Sequence, residues 1–171
     1  MVKIGIIGGS GMYSLLNDAE NIQKETEYGV PSDGISVGRI EGIDIAFIPR
    51  HGRAHTIPPH KVPYKANIEA LASMGVERIV ATNAVGSLNP DYKPGDFVLF
   101  DQFMNFTSGR EDTFFHGPSV VHVSTADPYC PEMRSIALGK AADMGLEVHA
   151  NGTVAVINGP RFSSKAESMY F

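Results

Sequence analysis

The sequence predicts an α/β protein in which a mixed, mainly parallel central β-sheet is flanked by helices. β-branched, strand-like segments alternate with helical segments at short spacing. The same local grammar also occurs twice: a helix, a Met-Gly stop at 74–75 and again at 144–145, a strand, then a turn of small residues. The chain has 171 residues, 43% of them hydrophobic and 19% charged, which suits a folded domain with a real core.

Residues 2–7 form a β-branched strand closed by Gly8-Gly9-Ser10-Gly11. Residues 34–40 and 43–49 read as two strands joined tightly at Glu41-Gly42, with alternation clearest at Ile43, Ile45 and Phe47. After a polar stretch at 50–60, Pro63 is expected to open a helix at its first position. Tyr64, Ile68 and Leu71 would share its apolar face, Gly75 would stop it, and 76–83 would return to a strand. Residues 97–100 are a further strand, and 105–120 an excursion rich in polar groups. Pro131 opens a second helix whose inner face would carry Met133, Ile136, Ala137, Ala141 and Met144. Gly145 ends it, and 147–157 holds two strand-like stretches around Asn151-Gly152. Ser164 and Glu167 have the spacing of a capping box, so a helix starts there. The sequence stops at Met169-Tyr170-Phe171, about two turns into that helix, and further sequence is expected beyond it.

Fourteen Lys and Arg against nineteen Asp and Glu give a formal charge of −5. This favours solubility, and no basic run supports nucleic-acid binding. Cys130 is the single cysteine, so an intrachain disulfide is impossible and a thiolate metal cluster is disfavoured. No run approaches the ~18 apolar residues of a membrane span, and 1–7 lacks a signal-peptide layout. A cytoplasmic protein is expected.

The chemistry-bearing segments sit where strands end. Gly8-Gly9-Ser10-Gly11 offers successive amides and a hydroxyl that suit an anion, and suits equally a tight turn beneath a helix. Its register is neither that of a dinucleotide fingerprint nor that of a Walker loop. Arg50-His51-Gly52-Arg53-Ala54-His55 follows a strand directly. A guanidinium fork suits two phosphate oxygens, and a histidine donates to a third while its other nitrogen is held by the protein. The competing reading is a solvated basic turn. Zinc held by His51, His55 and His60 is disfavoured, because no carboxylate or thiolate lies within the cluster and two prolines bar a helical arrangement. Thr82 and Asn83 bring polar side chains to the rim of the next strand, a feature that by itself does not single out phosphate.

These segments together resemble the methylthioadenosine phosphorylase family, relatives of the trimeric purine nucleoside phosphorylases. The resemblance rests on GIIGGSG at 5–11, RHGRAHTIPPHKVPYKANIEAL at 50–71 and TNAVGSL at 82–88. It continues through KPGDFVLFDQF at 93–103, ADPYCPEMR at 126–134 and NGPRFSSKAES at 158–168, covering essentially the whole chain. It implies one nucleoside phosphorylase domain over 1–171, incomplete at its carboxyl end. It implies a phosphate site of Ser10, Arg50, His51, Asn83 and the Ala84 amide, with Ser10, Arg50 and His51 serving catalysis. Family members often carry threonine where Ser10 and Asn83 stand, and the asparagine changes the pocket more. Phe162 and Ser163 would flank a purine, His122 would reach a neighbouring subunit's site, and Arg161 would be structural at a helix start. The implied reaction is phosphorolysis of 5'-deoxy-5'-methylthioadenosine to adenine and 5-methylthioribose 1-phosphate, with 6-oxopurine nucleosides or methylthioinosine as alternative substrates. Phosphate is a co-substrate, no metal or organic cofactor is needed, and a homotrimer or homohexamer is expected. A phosphate- or nucleotide-binding module without catalysis is the rival from another class.

Overall fold

The computed structural model describes residues 2–171 apart from 10, 13, 17 and 18. Contacts divide the chain into two compact units, Met1–Val85 and Gly86–Phe171. Among the described residues, the first unit holds a five-stranded sheet ordered β2-β3-β4-β1-β5. Its strands are β1 (Ile4–Gly8), β2 (Glu20–Ile22), β3 (Ile35–Ile40), β4 (Ile43–Pro49) and β5 (Arg78–Ala81). Central β1 runs parallel to both β4 and β5, while β3 pairs antiparallel with β4 and with β2. The mixed sheet expected from the sequence is therefore present, and its parallel part is the part that matters for a site.

The hairpin at Glu41-Gly42 forms as predicted, with both residues at positive φ (49° and 78°). Helix α1 (Tyr64–Ala72) has Pro63 as its N-cap, so the helix begins one residue later than the sequence placed it. Its buried face is Ala66, Asn67, Ala70 and Leu71, whereas Ile68, expected inside, is exposed. The correction has a simple cause. The helix lies close against the sheet, where small residues fit, and Leu71 reaches the backbone of β1 at Gly5. Gly75 takes φ 87°, and bonds from the Gly75 and Val76 amides to the Ala72 and Leu71 carbonyls close the helix end. The core of this unit is Ile7, Ile35, Ala46, Ile48, Ala70 and Leu71, fringed by Val2, Val37, Met74, Val76 and Ile79. Strand β5 is shorter than the predicted 76–83, and β2 carries no strand signal in the sequence because it is brief and largely exposed.

The second unit contains two parallel two-stranded pairs, β6 (Phe97–Val98) with β8 (Val148–His149) and β7 (Gln102–Phe106) with β9 (Thr153–Ile157). The sequence located β6, β8 and β9 but not β7, whose last residues it assigned to the excursion. Helix α2 (Pro131–Asp143) starts and stops where predicted, with Pro131 in its first turn and Gly145 at φ 67°. Its predicted inner face is not buried, however. Ile136 and Met144 are exposed, and the described residues give this helix no buried position. Arg134 anchors the helix instead, donating to the carbonyls of Phe100 (3.0 Å) and Ala150 (2.5 Å) and to the side chain of Asn151 (2.9 Å).

Helix α3 (Lys165–Tyr170) opens on the predicted capping box. Ser164 Oγ accepts from the Glu167 amide, and the Glu167 carboxylate accepts from the Ser164 amide. Arg161 grips both oxygens of that carboxylate at 2.8 Å, so its role at the helix start is structural.

Two outcomes follow. A methyl group on Gly8 would collide with the Phe47 ring, and Phe47 is buried. Gly8→Ala should therefore lose about 1–3 kcal/mol in urea unfolding; an unchanged midpoint would contradict this packing. The Arg161 fork, followed by the Ser164 amide, lowers the Glu167 pKa from 4.5 to about 2. Its stabilising effect is then complete above the unfolded value of 4.5 and is lost as pH falls through about 2. A carboxyl NMR titration of Glu167 with a midpoint near 4.5 would show that the fork does not form.

Candidate functional site

Parallel pairing aligns the carboxyl ends of β4, β1 and β5 on one edge, with Gly8 opposite Pro49 and Ile7 opposite Ala81. The residue after each strand then falls into one row. The Arg50 amide donates to the Gly8 carbonyl (2.9 Å), and the Thr82 amide donates to the Ile7 carbonyl (3.1 Å). A methyl placed on Gly9 would lie 3.2 Å from the Thr82 carbonyl oxygen, 3.6 Å from Arg50 Nη1 and 3.9 Å from Asn83 Cα. Three segments far apart in sequence thus close on one point, at the strand ends where α/β sheets gather ligands.

Arg50 is built into this edge. Its Nη2 donates to the Thr82 carbonyl at 2.5 Å and to the Ile7 carbonyl at 3.4 Å, holding a half-buried cation between β1 and β5. The Thr82 hydroxyl accepts from the Gly9 amide (3.5 Å) and donates to Met12 Sδ (2.8 Å). Asn83 and Ala84 continue into the exposed coil beyond β5. Ser10 lies outside the described residues, and only its neighbours Gly9 and Gly11 are placed.

The loop after Arg50 is a succession of turns. The Gly52 amide donates to the Pro49 carbonyl (3.0 Å) and the His55 amide to the Gly52 carbonyl (2.9 Å). Gly52 sits at φ 73°, with the Ser32 carbonyl 3.3 Å from where its Cβ would be, so a side chain here is both strained and crowded. His51 is clasped at two points: its Nδ1 is 2.8 Å from the Ile57 carbonyl, and the Ile57 amide donates back to the His51 carbonyl (3.1 Å). The His55 ring lies 5.0 Å from the His51 ring, tilted by 46°.

A second layer holds the loop in place, and sequence reasoning missed it. Asp33 accepts from the amides of Arg53 (2.7 Å) and Gly34 (2.8 Å), and Arg53 Nη2 donates to Ser36 Oγ (2.9 Å). Beneath these, Asn67 on α1 accepts from the Ser32 amide and donates to Ser32 Oγ, a buried pair. Apart from the bond between adjacent Asp33 and Gly34, the partners are 17 to 35 residues apart, so no local pattern announces them. The only available signal was an asparagine on the helix where an apolar residue would ordinarily be buried.

The remaining expected residues belong to the second unit. His122 lies in exposed coil, and Phe162 is 93% exposed. The Ser163 and Ser168 hydroxyls share a hydrogen bond at 2.7 Å, tying the segment before α3 to the helix. Among the described residues, no group of three or more His, Cys, Asp or Glu is placed to hold a metal, and no helix is long and apolar enough to cross a membrane.

Known proteins are similar to this chain in sequence and in fold. S-methyl-5'-thioadenosine phosphorylase of Pyrococcus abyssi is 57% identical over 171 residues, which are 100% of this chain and 66% of that protein. The enzyme of the same name from Saccharolobus solfataricus is 51% identical over 168 residues, 97% of this chain and 62% of its own length. The chain therefore spans somewhat less than two thirds of these relatives. Methylthioadenosine phosphorylase from Schistosoma mansoni in complex with adenine superposes with a TM-score of 0.93 at 39% identity, covering 99% of this chain and 70% of that one. A serine-to-threonine mutant of the Schistosoma mansoni enzyme, solved with methylthioadenosine, gives a TM-score of 0.94 at 39% identity over 99% of this chain and 68% of the other. Residues 3–171 match the Phosphorylase superfamily, and the chain belongs to that family.

Proposed function

We propose that this chain carries the phosphate site and part of the nucleoside site of an enzyme that cleaves 5'-deoxy-5'-methylthioadenosine with inorganic phosphate. The observation that carries this reading is the meeting of Gly9, Arg50 and Thr82-Asn83 at three parallel strand ends. The relatives' names supply the substrate.

Phosphate would sit over the Gly9 turn, held by Arg50, His51, Asn83, the Ala84 amide and the Ser10 hydroxyl. As the glycosidic bond lengthens, positive charge builds on C1' and the ribose ring oxygen. A phosphate fixed on the opposite face stabilises that charge and then forms the new C–O bond. The nucleophile is thus a substrate, and the protein's task is placement and charge compensation. Arg50 suits this task because its carbonyl contacts keep the guanidinium oriented before an anion arrives. Phe162 and Ser163 would flank the purine, with His122 serving an adjoining subunit in a trimer or hexamer. The chemistry calls for no metal or organic cofactor, and a cytoplasmic setting belongs to the same reading.

The test is to incubate full-length protein with methylthioadenosine, methylthioinosine, adenosine and inosine, with and without phosphate, and to quantify free base. Methylthioadenosine should be cleaved best and only with phosphate; cleavage indifferent to phosphate would end the assignment, and preference for the oxopurines would move the substrate. Arg50→Ala should lower kcat/KM for phosphate by about 10- to 100-fold, the scale of a hydrogen bond to a charged group. Unchanged phosphate kinetics in a folded variant would put the anion elsewhere.

A further inference from the structure

Thr82 follows β5, and its amide, carbonyl and hydroxyl each reach a different part of the strand-end edge. The amide donates to the Ile7 carbonyl (3.1 Å), and the carbonyl accepts from Arg50 Nη2 (2.5 Å). The hydroxyl stands between the two ends of the turn that follows β1. There it donates to Met12 Sδ at 2.8 Å and accepts a long bond, 3.5 Å, from the Gly9 amide. The Met12 amide donates to the Gly9 carbonyl (3.4 Å), and Met12 Cβ lies 3.3 Å from where a side chain on Gly8 would begin. A hydroxyl has a single hydrogen to give. With that hydrogen on the sulfur, Thr82 has none for an anion, although its residue type and its place at the rim would suit one.

We propose that Thr82 is a positioning residue of the anion site: its hydroxyl fixes where the turn between Gly9 and Met12 stands, while its carbonyl aims the Arg50 guanidinium. The inference rests on the phosphorylase reading and adds a residue to it. An oxyanion over this edge is approached from two sides, by the permanent cation after β4 and by the turn after β1. How well both reach one tetrahedral ion depends on their separation, and an error of an ångström is costly. Glycine leaves such a turn pliable, and Gly9 and Gly11 have no side chains through which it could be anchored. The anchor has to come from a neighbouring strand. Thr82 supplies it, because one residue is bonded both to the turn and to the arginine.

The experiment compares the steady-state kinetics of the full-length protein with those of its Thr82→Val, Thr82→Ser and Met12→Leu variants. Phosphate and methylthioadenosine are varied separately. Valine keeps the branched shape of threonine without the hydroxyl, and leucine keeps the bulk of methionine without the sulfur. Thr82→Val should raise KM for phosphate about 3- to 10-fold, the scale of one hydrogen bond, with kcat and the nucleoside KM retained. Met12→Leu should move the phosphate KM in the same direction, and Thr82→Ser should restore it. The double variant Thr82→Val/Met12→Leu should be no worse than Thr82→Val alone, since both remove one bond. A contact that served stability only would lower kcat through loss of active molecules and leave both KM values intact; that outcome overturns the proposal. So does a phosphate KM unchanged or lowered in Met12→Leu, because a hydroxyl that binds the anion itself has no need of the sulfur. Should Thr82→Val fail to fold, Met12→Leu and Thr82→Ser decide the matter. Carbon NMR of the Met12 methyl group gives a readout independent of turnover: its signal should shift in Thr82→Val and return in Thr82→Ser. Wild-type protein that releases no base with phosphate defeats the phosphorylase reading instead, and an unmoved methyl signal defeats the hold on the turn.

Discussion

The structure depends on one alignment: three parallel strands that end in step, with the residue beyond each bonded to its neighbour. Hydrogen bonds run from the Arg50 amide to Gly8 and from the Thr82 amide to Ile7, and the Arg50 side chain crosses back to the carbonyls of Ile7 and Thr82. Parallel pairing makes this possible, since it places all three carboxyl ends on the same edge. A slip of one residue in β4 or β5 would turn Arg50 or Thr82 to the opposite face and dissolve the row. Packing guards against such a slip. Phe47 lies where only a glycine at position 8 admits it, and Ala46, Ile48 and Leu71 are completely shielded from solvent.

Such an edge answers an electrostatic difficulty. A chain with a formal charge of −5 repels anions at long range. Close in, the field is set by a few fixed groups. Arg50 is a permanent cation, and its contacts to two carbonyls offset its desolvation without cancelling its charge. The turns from 50 to 55 are braced by Asp33, Ser32 and Asn67, so the loop that presents His51 is held from below. Asn67 is the informative residue of that brace: a polar side chain 2% exposed on a helix face, with hydrogen bonds from both ends of its amide.

Legibility in the sequence followed the range of the interaction. Elements set by neighbours were readable: the Glu41-Gly42 turn, the stops at Gly75 and Gly145, the opening at Pro131 and the capping box at Ser164. The strand ends were readable as well: Arg50 and His51 follow β4, and Thr82 and Asn83 follow β5, where the sequence put the rim of the sheet. Features set by distant partners were not. The buried face of α1 was misassigned because closeness to the sheet favours Ala66 and Ala70 over the bulkier Ile68, and periodicity carries no information about that distance. The face drawn for α2 failed for a related reason. Periodicity tells which side of a helix would be buried, but burial needs a partner layer, and within the second unit the sheets have only two strands each. There the helix is held through Arg134 and its carbonyl acceptors.

The two residues that follow β4 are fixed in different ways. Arg50 is held through its side chain, whose guanidinium reaches the carbonyls of Ile7 and Thr82 across the strand ends. His51 is held through both its ring and its main chain, each bonded to Ile57. A carbonyl that accepts from Nδ1 commits that nitrogen as the donor of a neutral ring. The conformation of His51 therefore belongs to the backbone of residues 51–57, which is why the turns, their glycine at 52 and their brace from Asp33 matter as much as the side chains they present.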